Sequence, residues 1–302
     1  MTGPGIVEQI RALTAELNAV ILAHNYQLPE IHAVADVIGD SLELSLAARE
    51  TRAEILVVCG VLFMAETAKL LNPDRTVLIP VPDAGCPLAC FLTPETIREY
   101  RRKMPDAAVV VYVNSTAACK AEADIVCTSG NAARIVSSLT EDRILFGPDR
   151  NLASWVSSVV TGKEIIPMPP DGHCYVHQTY SVIDIRKARE TGGVIITHPE
   201  CPPEIRDLSD IVASTGKMVN VIRERPEKVW HIFTEEGMAK RLASLFPDRT
   251  FHQPGGVCTD MKKTTITDLL TCLQRRETGI IIPEGIRDAA RRSVDRMLDA
   301  SS

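Results

Sequence analysis

The sequence predicts an α/β protein made of three αβα sandwiches related by a pseudo-threefold axis. Two observations carry this. Short apolar runs alternate with helical patterns along the chain, and the alternation comes in three copies that keep one register. The clearest copy is Ala35-Asp36-Val37-Ile38-Gly39-Asp40-Ser41. It is matched by Ala123-Asp124-Ile125-Val126-Cys127-Thr128-Ser129 and by Ser209-Asp210-Ile211-Val212-Ala213-Ser214-Thr215. Each reads as a small residue, Asp, two aliphatics, two variable residues and a hydroxyl, with spacings of 88 and 86 residues. The same spacings carry His24 to Tyr112 to His198, and Tyr26 to Asn114 to Glu200. Cys86, Cys174 and Cys258 follow at 88 and 84.

Within each copy the elements can be read in order. Val20 to Ala23, Val109 to Val113 and Gly193 to Thr197 are continuous apolar runs, as expected of buried parallel strands. Asp36 to Gly39, Asp124 to Cys127 and Asp210 to Ala213 are the second strands. Ile55 to Cys59, Ile144 to Phe146 and Val229 to Phe233 are the third. A helix follows each third strand, for example Glu236 to Phe246. Short fourth strands at Thr76 to Ile79, Ile165 to Ile166 and Thr250 to Phe251 lead into the cysteines. Pro80 to Gly85 and Pro167 to Gly172 are turns that present Cys86 and Cys174. The units are read as residues 1–87, 88–175 and 176–259, with 260–302 a helical tail packing back on them. No low-complexity linker separates them.

Composition narrows the function classes. The chain has 302 residues, 45% hydrophobic and 24% charged, the balance of a globular protein. Aromatics are only 4%, the net charge is −6 and no dense Lys/Arg stripe occurs, so nucleic acid is not an expected partner. The longest apolar run, Ala107 to Val113, is far short of the ~18 residues that span a bilayer. Glu8, Arg11 and Glu16 interrupt the stretch a signal peptide would need. No membrane association and a cytoplasmic location are expected. Nine cysteines in such a chain point to metal or catalytic roles before disulfides. Cys59, Cys119, Cys127, Cys201 and Cys272 read as buried, inert thiols, and Cys90 as a helix-side neighbour of Cys86.

Ligands of open parallel sheets bind beyond the carboxyl ends of the strands, where the repeated polar residues fall. Ser41, Ser129 and Thr215 follow the second strands and read as hydroxyl N-caps opening helices. Three such helix starts on one axis would converge on a cavity suited to a multiply charged anion. His24, Tyr112 and His198 end the first strands, and Tyr26, Asn114 and Glu200 share their faces two residues on. Together they resemble a set of acid/base and hydrogen-bonding groups. Cys86, Cys174 and Cys258, one per unit, would meet at the axis. Three thiolates suit either zinc with an open position or three irons of a [4Fe–4S] cluster. The long spacings favour the cluster, because cysteine zinc sites normally include a close pair. The open iron would act as a Lewis acid. His173 and His177, four apart, could mimic a zinc pair and are read as second-rank or surface residues.

These residues resemble a known family. His24-Asn25-Tyr26, Gly39-Asp40-Ser41, Met64-Ala65-Glu66-Thr67-Ala68-Lys69, Tyr112-Val113-Asn114, His198-Pro199-Glu200-Cys201 and Cys258-Thr259-Asp260-Met261-Lys262 are similar to motifs of the quinolinate synthases, the A proteins of de novo NAD biosynthesis, in their short three-cysteine form. The resemblance implies three pseudo-symmetric αβα domains around a central [4Fe–4S] cluster ligated by Cys86, Cys174 and Cys258. It implies condensation of iminoaspartate with dihydroxyacetone phosphate to quinolinate, phosphate and water, with the enzyme supplying iminoaspartate as a candidate protein partner. His24, Ser41, Tyr112, Asn114, Ser129, His198, Glu200 and Thr215 would contact substrate. Tyr26 and Glu200 would move protons, with His24 and His198 as the other catalytic candidates. Longer members carry extra cysteines near the last ligand, and Cys258 has none nearby. Lys217 matches no family feature. The rival readings are an iron–sulfur hydro-lyase of a hydroxy acid, a non-enzymatic iron or redox sensor, and a binding module with structural zinc.

Overall fold

Each repeat folds into one four-stranded, wholly parallel sheet in the computed structural model, which describes residues 5–301. The first sheet holds β1 (Ala19–His24), β2 (Val37–Gly39), β3 (Ile55–Cys59) and β4 (Thr76–Leu78) in the order β2-β1-β3-β4. The second holds β5 (Ala108–Tyr112), β6 (Ile125–Cys127), β7 (Arg143–Gly147) and β8 (Glu164–Pro167) as β6-β5-β7-β8. The third holds β9 (Val194–Thr197), β10 (Ile211–Val212), β11 (Val229–Phe233) and β12 (Thr250–His252) as β10-β9-β11-β12. All twelve expected strands form, with no end shifted by more than one residue. The α/β class and its three αβα units follow directly.

Each sheet is covered on both faces, because alternate residues of a strand point to opposite sides. In the first sheet Leu22, Leu56 and Val58 pack with Leu44 and Ala48 of the helix Ser41–Glu50. Ile21, Ala23 and Val57 face the other way, onto Ile10 and onto Leu269 and Leu273 of the helix Ile266–Arg275. The second sheet repeats this with Val110 and Phe146 against Ile135 and Val156, and Val109 and Val111 against Ile97. In the third, Ile196 and Ile232 pack on Met218 and Met238, while Ile195 packs on Ile185.

The shared Asp of the repeat has a structural explanation. Asp36, Asp124 and Asp210 each begin a second strand and clip it to the neighbouring first strand. Each carboxylate accepts a backbone N–H of that strand: from Ile21 at 2.7 Å, Val109 at 2.8 Å and Ile195 at 2.8 Å. Each aspartate N–H donates to the carbonyl of the same residue, at 3.0 Å in all three copies. A carboxylate one bond longer or shorter would miss this two-way clip, which fixes register at the end of the sheet remote from the polar residues.

The C-terminal segments bind across units. Ile280 donates its N–H to Val77 at 2.8 Å, beside β4. The helix Glu284–Asp299 buries Ala290, Val294, Met297 and Leu298 in the core shared by the first two units, and Ser293 donates to the Lys120 carbonyl at 2.7 Å. No helix among the described residues is long and apolar enough to cross a membrane.

Candidate active site

The carboxyl ends of β1, β5 and β9 open on one pocket of about 690 Å³ with walls from all three units. His24, Tyr112 and His198 line it, and so do Tyr26, Asn114 and Glu200. Ser41, Ser129 and Thr215 join them, as do Cys86, Cys174 and Cys258. Every residue singled out from the repeat register therefore faces the same space. Lys217 is not among the lining residues.

Exposure sorts the nine cysteines, all of them unpaired. Cys59, Cys119, Cys127, Cys201 and Cys272 are buried in cores, Cys90 is exposed, and the three pocket cysteines are half-buried. Burial pushes the Cys86 thiol up to about 12, and burial also raises Cys174 and Cys258, each further raised by nearby acidic groups. A cation bound there must displace their protons.

The helix starts differ from the sequence expectation. Ser41, Ser129 and Thr215 are not N-caps. The helix Ser41–Glu50 is capped by Asp40, whose Oδ1 accepts the N–H of Leu42 and of Glu43 at 3.0 Å. Ser214 caps Thr215–Glu224, and Ala132–Ser138 begins three residues after Ser129, behind Asn131. In the first and third copies the better acceptor sits one position earlier, extended and with its side chain reaching the N–H groups of the first turn, whereas Asn131, two residues after Ser129, makes no side-chain cap. The starts do converge: Asp40 Oδ2 also accepts Gly216 N–H at 3.3 Å and Ser214 Oγ–H at 3.4 Å. A Cβ on Gly216 would lie 2.8 Å from that oxygen, so a larger residue would push the carboxylate out of place. The protein's own carboxylate thus occupies two helix ends that the sequence reading left for an anion. All three residues still line the pocket, although the Ser129 hydroxyl meets His198 Nε2 at 3.2 Å and the Thr215 hydroxyl accepts from Asn25 Nδ2 at 3.1 Å.

The two histidines sit in identical local turns. Tyr26 N–H donates to His24 Nδ1 at 3.1 Å, and Glu200 N–H to His198 Nδ1 at 3.3 Å. With Nδ1 accepting, the proton of the neutral ring is on Nε2, and His198 Nε2 lies 3.2 Å from Ser129 Oγ. Burial pulls both rings down to about 3, so both are neutral donors at physiological pH. The Tyr26 and Tyr112 phenols are raised well above their usual range, by burial first and then by Glu200, and stay protonated.

Glu200 is the hub. Burial works to raise its pKa, but the contacts with His177, then His198 and the Tyr112 hydroxyl, outweigh it and hold the carboxylate ionised. Tyr112 Oη donates to Oε1 at 2.5 Å, and His177 Nδ1 lies 2.8 Å from Oε2, an ion-pair contact without hydrogen-bond alignment. His177 Nε2 meets Thr234 Oγ1 at 2.9 Å, and that hydroxyl meets Tyr26 Oη at 2.6 Å. One chain, Tyr112–Glu200–His177–Thr234–Tyr26, therefore links the three units. His177 is a correction: it is buried in the pocket wall at 2% exposure, whereas His173 is partly exposed against Phe91. Its position three residues after Cys174, on one short helical turn, is the signal that could have separated it from His173. Thr234 left no signal in the sequence.

Cys174, His177 and Glu200 hold their ligand atoms within 4.8 Å of one another, close enough to grip a metal ion. His177 Nε2 is already bonded to Thr234, whereas its Nδ1 faces Glu200 Oε2 without hydrogen-bond alignment. The lining includes Asp40, Glu200 and Glu235 but no lysine or arginine. Such a pocket needs a cation before it can hold an anionic substrate.

A family model described as quinolinate synthetase A protein matches residues 8–299. The chain belongs to this family. A quinolinate synthase of Pyrococcus abyssi is 47% identical over 300 residues, covering 98% of this chain and 99% of that protein. One from Thermococcus kodakarensis is 46% identical over 300 residues, with 98% of each chain covered. One from Thermotoga maritima is 44% identical over 296 residues, with 97% of this chain and 99% of that one. These relatives are named as enzymes, which sets aside the sensor and binding-module readings.

Proposed function

We propose that the chain condenses iminoaspartate with dihydroxyacetone phosphate to quinolinate, phosphate and two waters, with Cys86, Cys174 and Cys258 holding a [4Fe–4S] cluster. The observation that carries this is the meeting of three half-buried, unpaired thiols with an ionised Glu200 in a pocket without a lysine or arginine. The donor set suits iron–sulfur ligation: three thiols supply three ligands, and one iron stays open. When bound, the cluster supplies a Lewis acid for the substrate's hydroxyl and carboxylate oxygens.

The chain's own groups account for binding and proton traffic. Ser41, Ser129 and Thr215, with His24 and His198 as Nε2–H donors and Tyr112 and Asn114, form a neutral polar lining for carboxylate and phosphate oxygens. Glu200 is the base, since it is ionised and buried beside two protonated phenols. A proton accepted at Glu200 Oε2 has an exit through His177 and Thr234 to Tyr26 Oη, which returns one to a leaving hydroxyl on the far side of the pocket. Nine unpaired cysteines and a cofactor of this kind support a reducing, cytoplasmic compartment. The proposed substrate makes the enzyme that releases iminoaspartate the functional partner. The working division of the chain is residues 1–87, 88–175 and 176–259, tied together by 260–302.

The test is anaerobic reconstitution with iron and sulfide, followed by product assay from the two substrates. Quinolinate formation that disappears in Cys86→Ser, Cys174→Ser and Cys258→Ser is the expected result. Iron uptake without quinolinate, together with dehydration of a hydroxy acid, would favour a hydro-lyase.

A further inference from the structure

The loops that present the three cysteines are fastened in two ways, and only one is common to all units. In each, the first residue of the helix after the third strand donates its N–H to the carbonyl two residues before the cysteine. Leu62 donates to Ala84 at 2.8 Å, Arg150 to Gly172 at 2.8 Å and Glu236 to Gly256 at 3.1 Å. The residues just before these donors are the N-caps Val61, Asp149 and Glu235, spaced again by 88 and 86. Here the units part. Asp149 Oδ1 accepts Leu152 N–H at 2.7 Å as a cap, and Oδ2 accepts the N–H of Cys174 at 3.1 Å. Glu235 Oε2 accepts Gly237 N–H at 2.7 Å as a cap, and Oε1 accepts the N–H of Cys258 at 3.2 Å. Both carboxylates are 0% exposed. Val61 offers no acceptor to Cys86.

We propose that Asp149 and Glu235 are positioning residues that lock the Cys174 and Cys258 loops for the cofactor, and that the Cys86 arm lacks this lock. An ordinary N-cap needs one oxygen; the second oxygen of each acid is spent on the cysteine peptide. Glu235 reaches further, because Lys262 Nζ lies 2.9 Å from Oε1 and also donates to the Tyr26 carbonyl. The Cys258 loop is thereby joined to the turn that carries Tyr26. A Cβ on Gly237 would lie 2.8 Å from both Glu235 Oε2 and the Tyr26 carbonyl, so the junction admits only glycine. Cys86 is stiffened instead by Pro87 and the single helical turn Pro87–Phe91.

This inference rests on the reading that the three cysteines hold the cluster, and two measurements keep them apart. In the cofactor-free protein, backbone amide exchange at Cys174 and Cys258 should be slow and that at Cys86 faster. Asp149→Ala should speed exchange at Cys174, and Glu235→Ala at Cys258, by about tenfold or more, as loss of a bond to a buried carboxyl group implies. In the reconstituted protein the same variants should release iron to a ferrous chelator about tenfold faster or more. Asp149→Asn and Glu235→Gln keep an oxygen acceptor and should fall between parent and alanine variant, and Val61→Ala should match the parent. If the alanine variants do not fold, the amide variants decide, and parental rates in both overturn the proposal. So do unchanged exchange in folded alanine variants, or iron release from Val61→Ala as fast as theirs. A parent protein that takes up no iron defeats the cluster reading alone, because amide exchange still reports on the two carboxylates.

Discussion

The two ends of the central strands β1, β5 and β9 obey different rules. At one end the three copies are chemically identical: Asp36, Asp124 and Asp210 make the same two-way clip to Ile21, Val109 and Ile195. At the other end the copies diverge. His24, Tyr112 and His198 are not one residue three times, and Tyr26, Asn114 and Glu200 are three different chemistries. Where the repeat must fold, one residue solves the problem three times. Where it must act, a symmetric pocket would be useless, since a single substrate needs a base on one side and a donor on another. The scaffold is threefold and the site is not.

The largest effects should come from breaking the divergent end. Glu200→Gln removes the only acidic group among the six strand-end positions while keeping its shape. Quinolinate formation should fall by ~10²-fold or more, the usual contribution of a general base, with iron content unchanged. His177→Phe should lose activity by a similar factor, because it severs Glu200 from Thr234 and Tyr26. A kinetic assay of the reconstituted variant, with iron counted beside it, checks both. Parental turnover in His177→Phe would make that ring a packing residue only.

An intermediate effect is expected at the helix starts, where sequence and structure disagreed. Asp40→Ala removes a cap and the tie to Gly216 and Ser214, and should cost about 1–2 kcal/mol of stability in denaturant unfolding. Ser41→Ala should leave stability within about 0.5 kcal/mol, while Thr215→Val, which also orphans the buried Asn25 Nδ2–H, should cost about 1–3 kcal/mol. Both should weaken binding of quinolinate or dihydroxyacetone phosphate by about 1.5–3 kcal/mol. If Ser41→Ala destabilises as much as Asp40→Ala, the assignment of the cap is wrong.

The smallest effects belong to the uniform end. Asp36→Ala, Asp124→Ala and Asp210→Ala each lose a half-exposed acceptor and should cost about 1 kcal/mol, with affinity for substrate unchanged. Asp36 is the cleanest probe, since Arg101 and Arg189 additionally pair with Asp124 and Asp210. A loss of activity in Asp36→Ala without loss of stability would erase the distinction between the two ends.

This contrast also explains what could be read from the chain. Register was legible because the Asp clip and the strand-end polar residues recur at fixed spacing, and an 88- and 86-residue offset leaves a trace in any sequence. The pocket lining followed from the same register. The helix caps were misread because Asp40 and Ser214 stand next to equally plausible hydroxyls, and only backbone geometry selects between neighbours. His177 was passed over because its four-residue spacing from His173 only mimics a zinc pair, and the turn around Cys174 does not by itself show which ring points inward. The chain bends so that one ring enters the pocket beside Glu200 while the other stays outside against Phe91. Thr234 could not be found at all: its role exists only through contacts with His177 and Tyr26, distant in sequence. The carboxylates Asp149 and Glu235 were in register, but their counterpart is Val61, and a pattern kept in two copies of three is easily passed over.

The central proposal is that one asymmetric pocket, assembled from three like units, sets Glu200 as base against a substrate bound beside the three cysteines. It is tested most directly by a single comparison: quinolinate yield from iminoaspartate and dihydroxyacetone phosphate in anaerobically reconstituted parent and Glu200→Gln proteins of equal iron content. The account predicts product from the parent and ~10²-fold less or lower from the variant. Equal yields from the two proteins would contradict it.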